Sequence, residues 1–345
     1  MSQSGAVPID PLRFARQLID VPSPTESEFD VAVLLDTELT RLGFATERQE
    51  VTANRFNLYA SAGGRPRVVM NSHLDTVPPW FASYEDETHI YGRGACDTKG
   101  IIAAMIAAGE RLRARNVTDF AFLFVVGEET DSIGAKQANE HYRDLGSEYC
   151  VVGEPTESTF ARASKGAMTA VVRFNGKAAH SAYPHLGDSA ITKMAAAIAE
   201  INATSWGSHE VLGDATANVG VVRGGFKPNI IPAEAEAEMM FRVVGELETA
   251  RRQLETLVAK YDGEITMTRG NPPQMMTVPE GQPSAVVSFN TDVPWLGNLG
   301  KPLLFGPGSI LDAHGAKERI AKQDLLDAVT TYEEMVVALL EGRVG

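Results

Sequence analysis

The run Asp119–Val126 (DFAFLFVV) most narrows the folds open to this chain. Beyond its first residue it is apolar without a break, so a strand built from it has no face to give to water. Such a strand needs cover on both sides of its sheet, and the flanking segments can supply helices. Lys99–Ala114 is alanine-rich and reads as a helix, and about Ile133–Tyr142 reads as another, ahead of the apolar strand Tyr149–Val152. Upstream, Asp10 before Pro11 has the form of an N-cap followed by proline at the first helical position. That helix runs to about Asp20, where Pro22 and Pro24 stop it, and a second spans roughly Glu26–Leu42 with Gly43 as the residue past its end. Strand-like runs follow at Phe56–Ser61 and Arg67–Asn71. Helices alternating with apolar strands imply a layered α/β domain with a mostly parallel sheet.

The pattern changes after about Lys165. Met168–Asn175 alternates like a half-buried strand, Asp188–Ala203 is a helix, and Ala215–Val222 and Ala233–Val243 are strands. Glu246–Tyr261 is a helix and Glu264–Arg269 a last strand, giving β-α-β-β-α-β, the ferredoxin-like arrangement. Afterwards come a proline-rich loop, an apolar strand near Ala285–Phe289, Pro302–Phe305 and a terminal helix from about Lys322. The α+β segment is therefore an insertion: residues 1–164 and 271–345 form one discontinuous domain and 165–270 the other. A length of 345 residues suits two cores better than one.

The formal charge of −14 disfavours nucleic acid as a partner, because such a surface repels phosphate backbones. Only two cysteines, Cys96 and Cys150, are present, which fits a reducing cytoplasm rather than a disulfide scaffold. Met1–Asp10 lacks the basic and apolar regions of a secretory leader. No apolar stretch is expected to span a membrane; the candidate at Gly100–Gly109 ends at Glu110-Arg111.

Chemistry collects in short islands at the ends of these strands. His73-Leu74-Asp75 closes the strand Arg67–Asn71, Gly127-Glu128-Glu129 follows Asp119–Val126, and Gly153-Glu154-Pro155 follows Tyr149–Val152. Asp97 lies in a glycine-rich turn, Gly92–Gly100, and His314 stands alone near the C-terminus. Imidazole and carboxylate are zinc ligands, and a short aspartate on a tight turn suits the bridge between two ions. Asp75 is placed to accept the hydrogen bond of the His73 nitrogen that faces away from metal. Adjacent glutamates in extended backbone diverge, so one of Glu128 and Glu129 can bind metal while the other serves as general base. Asp97, Glu129 and Glu154 crowded together would repel one another without cations, and two Zn2+ with one hydroxide neutralise them. Gly92-x-Gly94 is half of a dinucleotide fingerprint, but Asp97 stands where the third glycine belongs, which excludes nucleotide binding.

These islands, in this order and over nearly the whole chain, resemble the co-catalytic zinc hydrolases that include acetylornithine deacetylase, succinyl-diaminopimelate desuccinylase, aminoacylase and related carboxypeptidases. The marks are His73-Leu74-Asp75-Thr76-Val77-Pro78, Gly92-Arg93-Gly94-Ala95-Cys96-Asp97-Thr98-Lys99-Gly100, Gly127-Glu128-Glu129, Gly153-Glu154-Pro155-Thr156, and Gly306-Pro307-Gly308 ahead of His314. The resemblance implies one zinc on His73, Asp97 and Glu154 and a second on Asp97, Glu129 and His314. It makes Glu128 the general acid and base and Asp75 the residue that orients His73. It implies that the inserted domain acts as a lid and forms a homodimer, with a histidine reaching into the partner's site. Gly176-Lys177-Ala178-Ala179-His180-Ser181-Ala182 matches that motif and points to His180. Asn229, Arg242 and the loop containing Gly308 match substrate-contacting positions.

The implied reaction is hydrolysis of the amide bond of a small N-acyl amino acid such as N-acetylornithine. Alternatives are a desuccinylase, a carboxypeptidase or dipeptidase with a short peptide substrate, or a non-catalytic binding protein on the same scaffold. No ligand position is lost, which argues against the last. Co2+ or Mn2+ could replace zinc at such N/O sites. Taken singly, paired glutamates are commonly a solvated loop, His180 has His185 as a rival, and Arg242 could serve a surface salt bridge.

Overall fold

The structure is a computed structural model and describes residues 7–344. The absence of a leader, read from Met1–Asp10, thus falls largely outside the described residues. Two compact units are present. The first contains the chain up to Arg162, Met275–Ala285 and the segment from Thr291 onward; the second contains Ala163–Gln274 and Val286–Asn290. Val286–Asn290, read from sequence as part of the returning segment, belongs with the second unit.

In the first unit the apolar run becomes the strand Phe120–Val125 in the middle of a nine-stranded sheet. Its Phe120, Phe122 and Phe124 join one core cluster with Leu18, Leu35, Met105 and Tyr332 from four surrounding helices. The alternate residues Ala121, Leu123 and Val125 are equally buried, so both faces are covered. The four central strands, Phe120–Val125, Val68–His73, Tyr149–Val152 and Lys301–Leu304, are parallel. The flanks are not: Arg55–Ser61 runs antiparallel to Phe120–Val125, and Ala45–Thr52 antiparallel to Arg55–Ser61. Parallel strands end on the same side of a sheet. His73, opposite Val125 in register, therefore shares one edge with the loops that begin at Val126, Gly153 and Phe305.

Asp10 caps the helix Pro11–Ile19 as expected, accepting from the backbone N–H of Leu12 and Arg13. The second helix starts later than its sequence suggests, at Phe29, because Glu26 takes a left-handed φ of 77°. Ala45–Thr52 (ATERQEVT) is a strand that its charges conceal. As an edge strand it buries little, so it lacks the apolar signature. Among the described residues no helix is long and apolar enough to cross a membrane.

The second unit is a four-stranded antiparallel sheet in the spatial order Thr216–Gly224, Glu234–Val243, Gly166–Asn175, Gly263–Asn271. Helices Ala190–Ala203 and Leu247–Ala259 pack on one face through Met194, Ile201, Leu254 and Val258 against Val172, Phe174, Met239 and Phe241. The fold is mixed α/β with a ferredoxin-like insertion.

Candidate metal centre

Each residue of the centre ends a parallel strand or comes from a loop that leaves that edge or packs on it. His73 is the last residue of its strand and is 2% exposed. Thr98 Oγ1 donates to the His73 carbonyl at 2.9 Å, and Ser72 Oγ lies 2.8 Å from Thr98 Oγ1 and 3.0 Å from the Gly153 carbonyl. These hydroxyls fasten the His73 strand end to the Asp97 turn and to the loop of Glu154.

Asp97 is the centre of the arrangement. Its Oδ1 lies 3.0 Å from His73 Nε2, and its Oδ2 lies 3.2 Å from His314 Nε2. His314 also reaches the two carboxylate oxygens of Glu129 at 3.2 and 3.0 Å. Glu154 Oε1 stands 4.0 Å from His73 Nε2. Ligand atoms of His73, Asp97 and Glu129 lie within 4.8 Å of one another, as do those of His73, Glu128 and Glu154. All six side chains belong to the first unit.

Asp75 performs a further task besides the contact with His73 that its spacing suggests. The nearest acceptor to His73 Nδ1 is the Asp75 backbone carbonyl at 2.9 Å, while the Asp75 carboxylate is 3.6 Å away. That carboxylate is fully buried and accepts the backbone N–H of Gly127, Glu128 and Glu129 at 3.0, 3.1 and 3.2 Å, plus the Thr25 hydroxyl at 2.8 Å. One aspartate thus fixes the loop that aims both glutamates.

Gly308 packs inside the first unit. Its φ is +87°, and a Cβ there would stand 2.6 Å from the Cβ of Cys96, next to Asp97. Both cysteines are free and buried. His180 lies in the second unit at the end of the short strand Ala179–His180, exposed, with its Nδ1 accepting from Ala182 N at 3.1 Å. Asn229 is its neighbour: the Asn229 carbonyl accepts from Ser181 N at 3.1 Å. Arg242 sits in the Glu234–Val243 strand, partly buried, and has no carboxylate partner among the described residues.

The electrostatics call for cations. Burial pushes Glu128 and Glu154 well above the ordinary carboxylate range, and neighbouring carboxylates add to the rise. Burial alone would raise Asp97 too, but the imidazoles of His314 and His73, one on each oxygen, hold it well below that range. Asp97 and Glu129 carry His314 up to about 10. Burial opposes charge on His73, yet Asp75 and Asp97 raise it well above the usual histidine value. Two donors about 2.0–2.2 Å from one tetrahedral ion lie roughly 3.3 Å apart. The spacings at Asp97 and Glu129 are close to this, and the His73–Glu154 spacing is a little wider. The donor set fits divalent ions.

Three buried charged residues near the centre escaped sequence reasoning. Asp292 is 1% exposed, and neither of its oxygens has a hydrogen-bond partner among the described residues; burial holds its carboxyl up at about 6. Arg93 and Glu318 form a buried pair at 2.7 Å, and Glu318 accepts the backbone N–H of Asp97. Charged residues in otherwise polar loops carry no periodicity, so only their packing reveals them.

The profile of a peptidase dimerisation domain matches residues 162–266, and that of peptidase family M28 matches residues 57–163. A peptidase M20 domain-containing protein of Schizosaccharomyces pombe is 36% identical over 93% of this chain and 83% of its own length. A probable carboxypeptidase of Aspergillus clavatus is 32% identical over 94% of this chain and 88% of its own. Among solved structures, a tripeptidase of Staphylococcus aureus superposes with a TM-score of 0.78 at 21% identity, covering 95% of this chain and 98% of that one. A dinuclear metal-binding M20 peptidase of Bacillus subtilis gives 0.70 at 17% identity, covering 96% and 97%. With its fold, its His/Asp/Glu cluster and relatives aligned over nearly its full length, the chain belongs to the M20 family of metallopeptidase hydrolases.

Proposed function

We propose that this chain is a dinuclear zinc hydrolase that cleaves the amide bond beside a free α-carboxylate, in a short peptide or an N-acyl amino acid. The observation that carries the reading is Asp97, whose two oxygens face two different imidazoles. His73, Asp97 and Glu154 would hold one ion; Asp97, Glu129 and His314 the other. When bound, such ions lower the pKa of water towards neutrality and polarise the scissile carbonyl. Co2+ or Mn2+ are acceptable substitutes.

Glu128 is the general base. It takes a proton from the attacking water and later passes it to the departing amine. Its carboxylate oxygen lies within 4.8 Å of ligand atoms of His73 and Glu154, at the edge of the centre. Arg242, partly buried and without a carboxylate partner among the described residues, suits the substrate's α-carboxylate. His180, exposed beside Asn229, suits the developing oxyanion. His180 lies near the Glu234 end of the Glu234–Val243 strand, through its pairing with Ile230. Arg242 is roughly 26 Å from Glu234 at about 3.3 Å per strand residue. One copy of this unit therefore cannot bring both residues to one small substrate, which favours a homodimer with His180 acting on the partner's site. The edge strand Thr216–Gly224, with Val222 and nearby Phe226 exposed at 55% and 84%, suits the contact.

The A. clavatus relative's description as a probable carboxypeptidase favours a peptide over an acetylated substrate such as N-acetylornithine. A panel of dipeptides, tripeptides, N-acetyl and N-succinyl amino acids with the zinc-loaded protein tests this. Hydrolysis confined to peptides with a free C-terminal carboxylate is expected. Turnover of N-acetylornithine alone moves the assignment to a deacylase, and no turnover of any amide overturns the enzymatic reading.

A further inference from the structure

Arg93 and Glu318 are among the least exposed charged side chains of the chain, 2% and 0%. A buried ion pair contributes little net stability, because desolvation offsets its attraction. Its contacts assign it another use. Glu318 Oε2 accepts from Arg93 Nη1 at 2.7 Å, while its Oε1 accepts the backbone N–H of Asp97 at 3.2 Å and of Cys96 at 3.3 Å. Arg93 Nη2 donates to the carbonyl of His314 at 3.4 Å, and its Nε to that of Pro79 at 3.2 Å. Phe81 lies 5.3 Å from the guanidinium and helps fix its plane. Glu318 is anchored in turn: its own carbonyl accepts from Gly92 N at 3.0 Å, and the adjoining strand Arg319–Ala321 pairs with His89–Tyr91.

One ion pair therefore grips the main chain of both Asp97 and His314, two residues distant in sequence that face each other across 3.2 Å. We propose that Arg93 and Glu318 are positioning residues: a clamp that sets the Asp97–His314 spacing and so the affinity of the ion position those two share with Glu129. This rests on the two-ion reading above and adds residues that touch neither metal nor substrate. Clamping main chain rather than ligand side chains leaves the ligand oxygens and nitrogens free for metal. A carboxylate that takes the guanidinium on one oxygen and the Asp97 N–H on the other, paired with a guanidinium whose remaining nitrogens reach two carbonyls, holds two loops in fixed register, which a lysine could not do.

The test uses the full chain, stripped of metal and titrated with Zn2+ by calorimetry and with Co2+ by visible absorption. Wild type takes up two ions. Glu318→Gln keeps an acceptor for the Asp97 N–H but leaves Arg93 unpaired. It is expected to bind one ion as wild type does and the other about 10–100-fold more weakly. Should that variant fail to fold, the double substitution Arg93→Met with Glu318→Leu removes both charges and fills their volume. It is expected to fold and to show the same selective loss. Unchanged affinity for both ions in a folded variant overturns the clamp. So does equal weakening of both ions alongside a lowered melting temperature, the mark of a merely structural pair. Wild type that binds fewer than two ions removes the two-ion reading itself, and the clamp with it.

Discussion

Glu128 and Asp292 show how burial tunes a carboxyl without any change of residue type. Glu128 lies beside His73 and Glu154 and is raised well above the carboxylate range by burial and then by Glu154. Its replacement by glutamine keeps the shape and removes the proton carrier. Glu128→Gln is expected to lower kcat by about 10²–10⁴-fold. Metal analysis after dialysis should still find both ions, which separates a base from a ligand. Asp292 is buried without a hydrogen-bond partner among the described residues, and its carboxyl is held up at about 6. A carboxyl raised above its unfolded value destabilises the fold when it ionises. That penalty is absent below about pH 4, grows as pH rises and is complete above about pH 6. Asp292→Asn should therefore stabilise the metal-free protein at pH 7.5 by on the order of 3 kcal/mol. The gain should vanish near pH 4, as read from denaturant unfolding of both proteins at each pH.

At the scale of elements, the centre depends on loops held by backbone contacts rather than on the strands alone. The Asp75 carboxylate gathers three successive N–H groups of the Gly127–Glu129 loop. An asparagine there has one acceptor oxygen and an amide that would face a donor. Asp75→Asn is expected to weaken metal binding by about 10–100-fold at the position that uses Glu129. Metal retention against a chelator series checks this, and retention equal to wild type would show that the Gly127–Glu129 loop does not depend on the Asp75 carboxylate. The Gly306–Gly308 loop shows the same economy. A side chain at Gly308 would have to enter space held by Cys96, on a backbone already at φ +87°. Gly308→Ala is expected to cost about 1–3 kcal/mol by overpacking, measured by denaturant unfolding, and to displace the neighbouring Asp97 turn.

For the whole molecule, the decisive question is whether His180 serves the chain that carries it. A two-fold dimer with His180 acting in trans makes a specific forecast. Glu128→Gln and His180→Ala proteins, each nearly inactive, should regain roughly a quarter of wild-type activity when their subunits are exchanged. Half of the dimers would then be mixed, and each mixed dimer would hold one complete site. Sedimentation of the exchanged sample must show dimers throughout. No recovery in a sample that has demonstrably exchanged confines His180 to its own chain or to no catalytic role.

Much of this was legible in the residues themselves. The unbroken apolar run at Phe120–Val125 required a sheet covered on both faces, and the islands at strand ends hold the His, Asp and Glu side chains that the fold gathers into one cluster. The β-α-β-β-α-β pattern marked the insertion, because periodicity reports burial directly. Hydropathy does not report partners. The edge strand Ala45–Thr52 buries too little to be read, and Arg93, Asp292 and Glu318 sit in loops where a buried charge looks like a solvated one. The carboxylate of Asp75 could be placed beside His73 from spacing, but its grip on Gly127–Glu129 needed the parallel register of two strands far apart in sequence. Residue types and their order by themselves determined which groups could bind metal. Only the tertiary structure decided which oxygen of Asp97 faces which imidazole, because that depends on loops brought together by the sheet and held there by buried contacts across long stretches of chain.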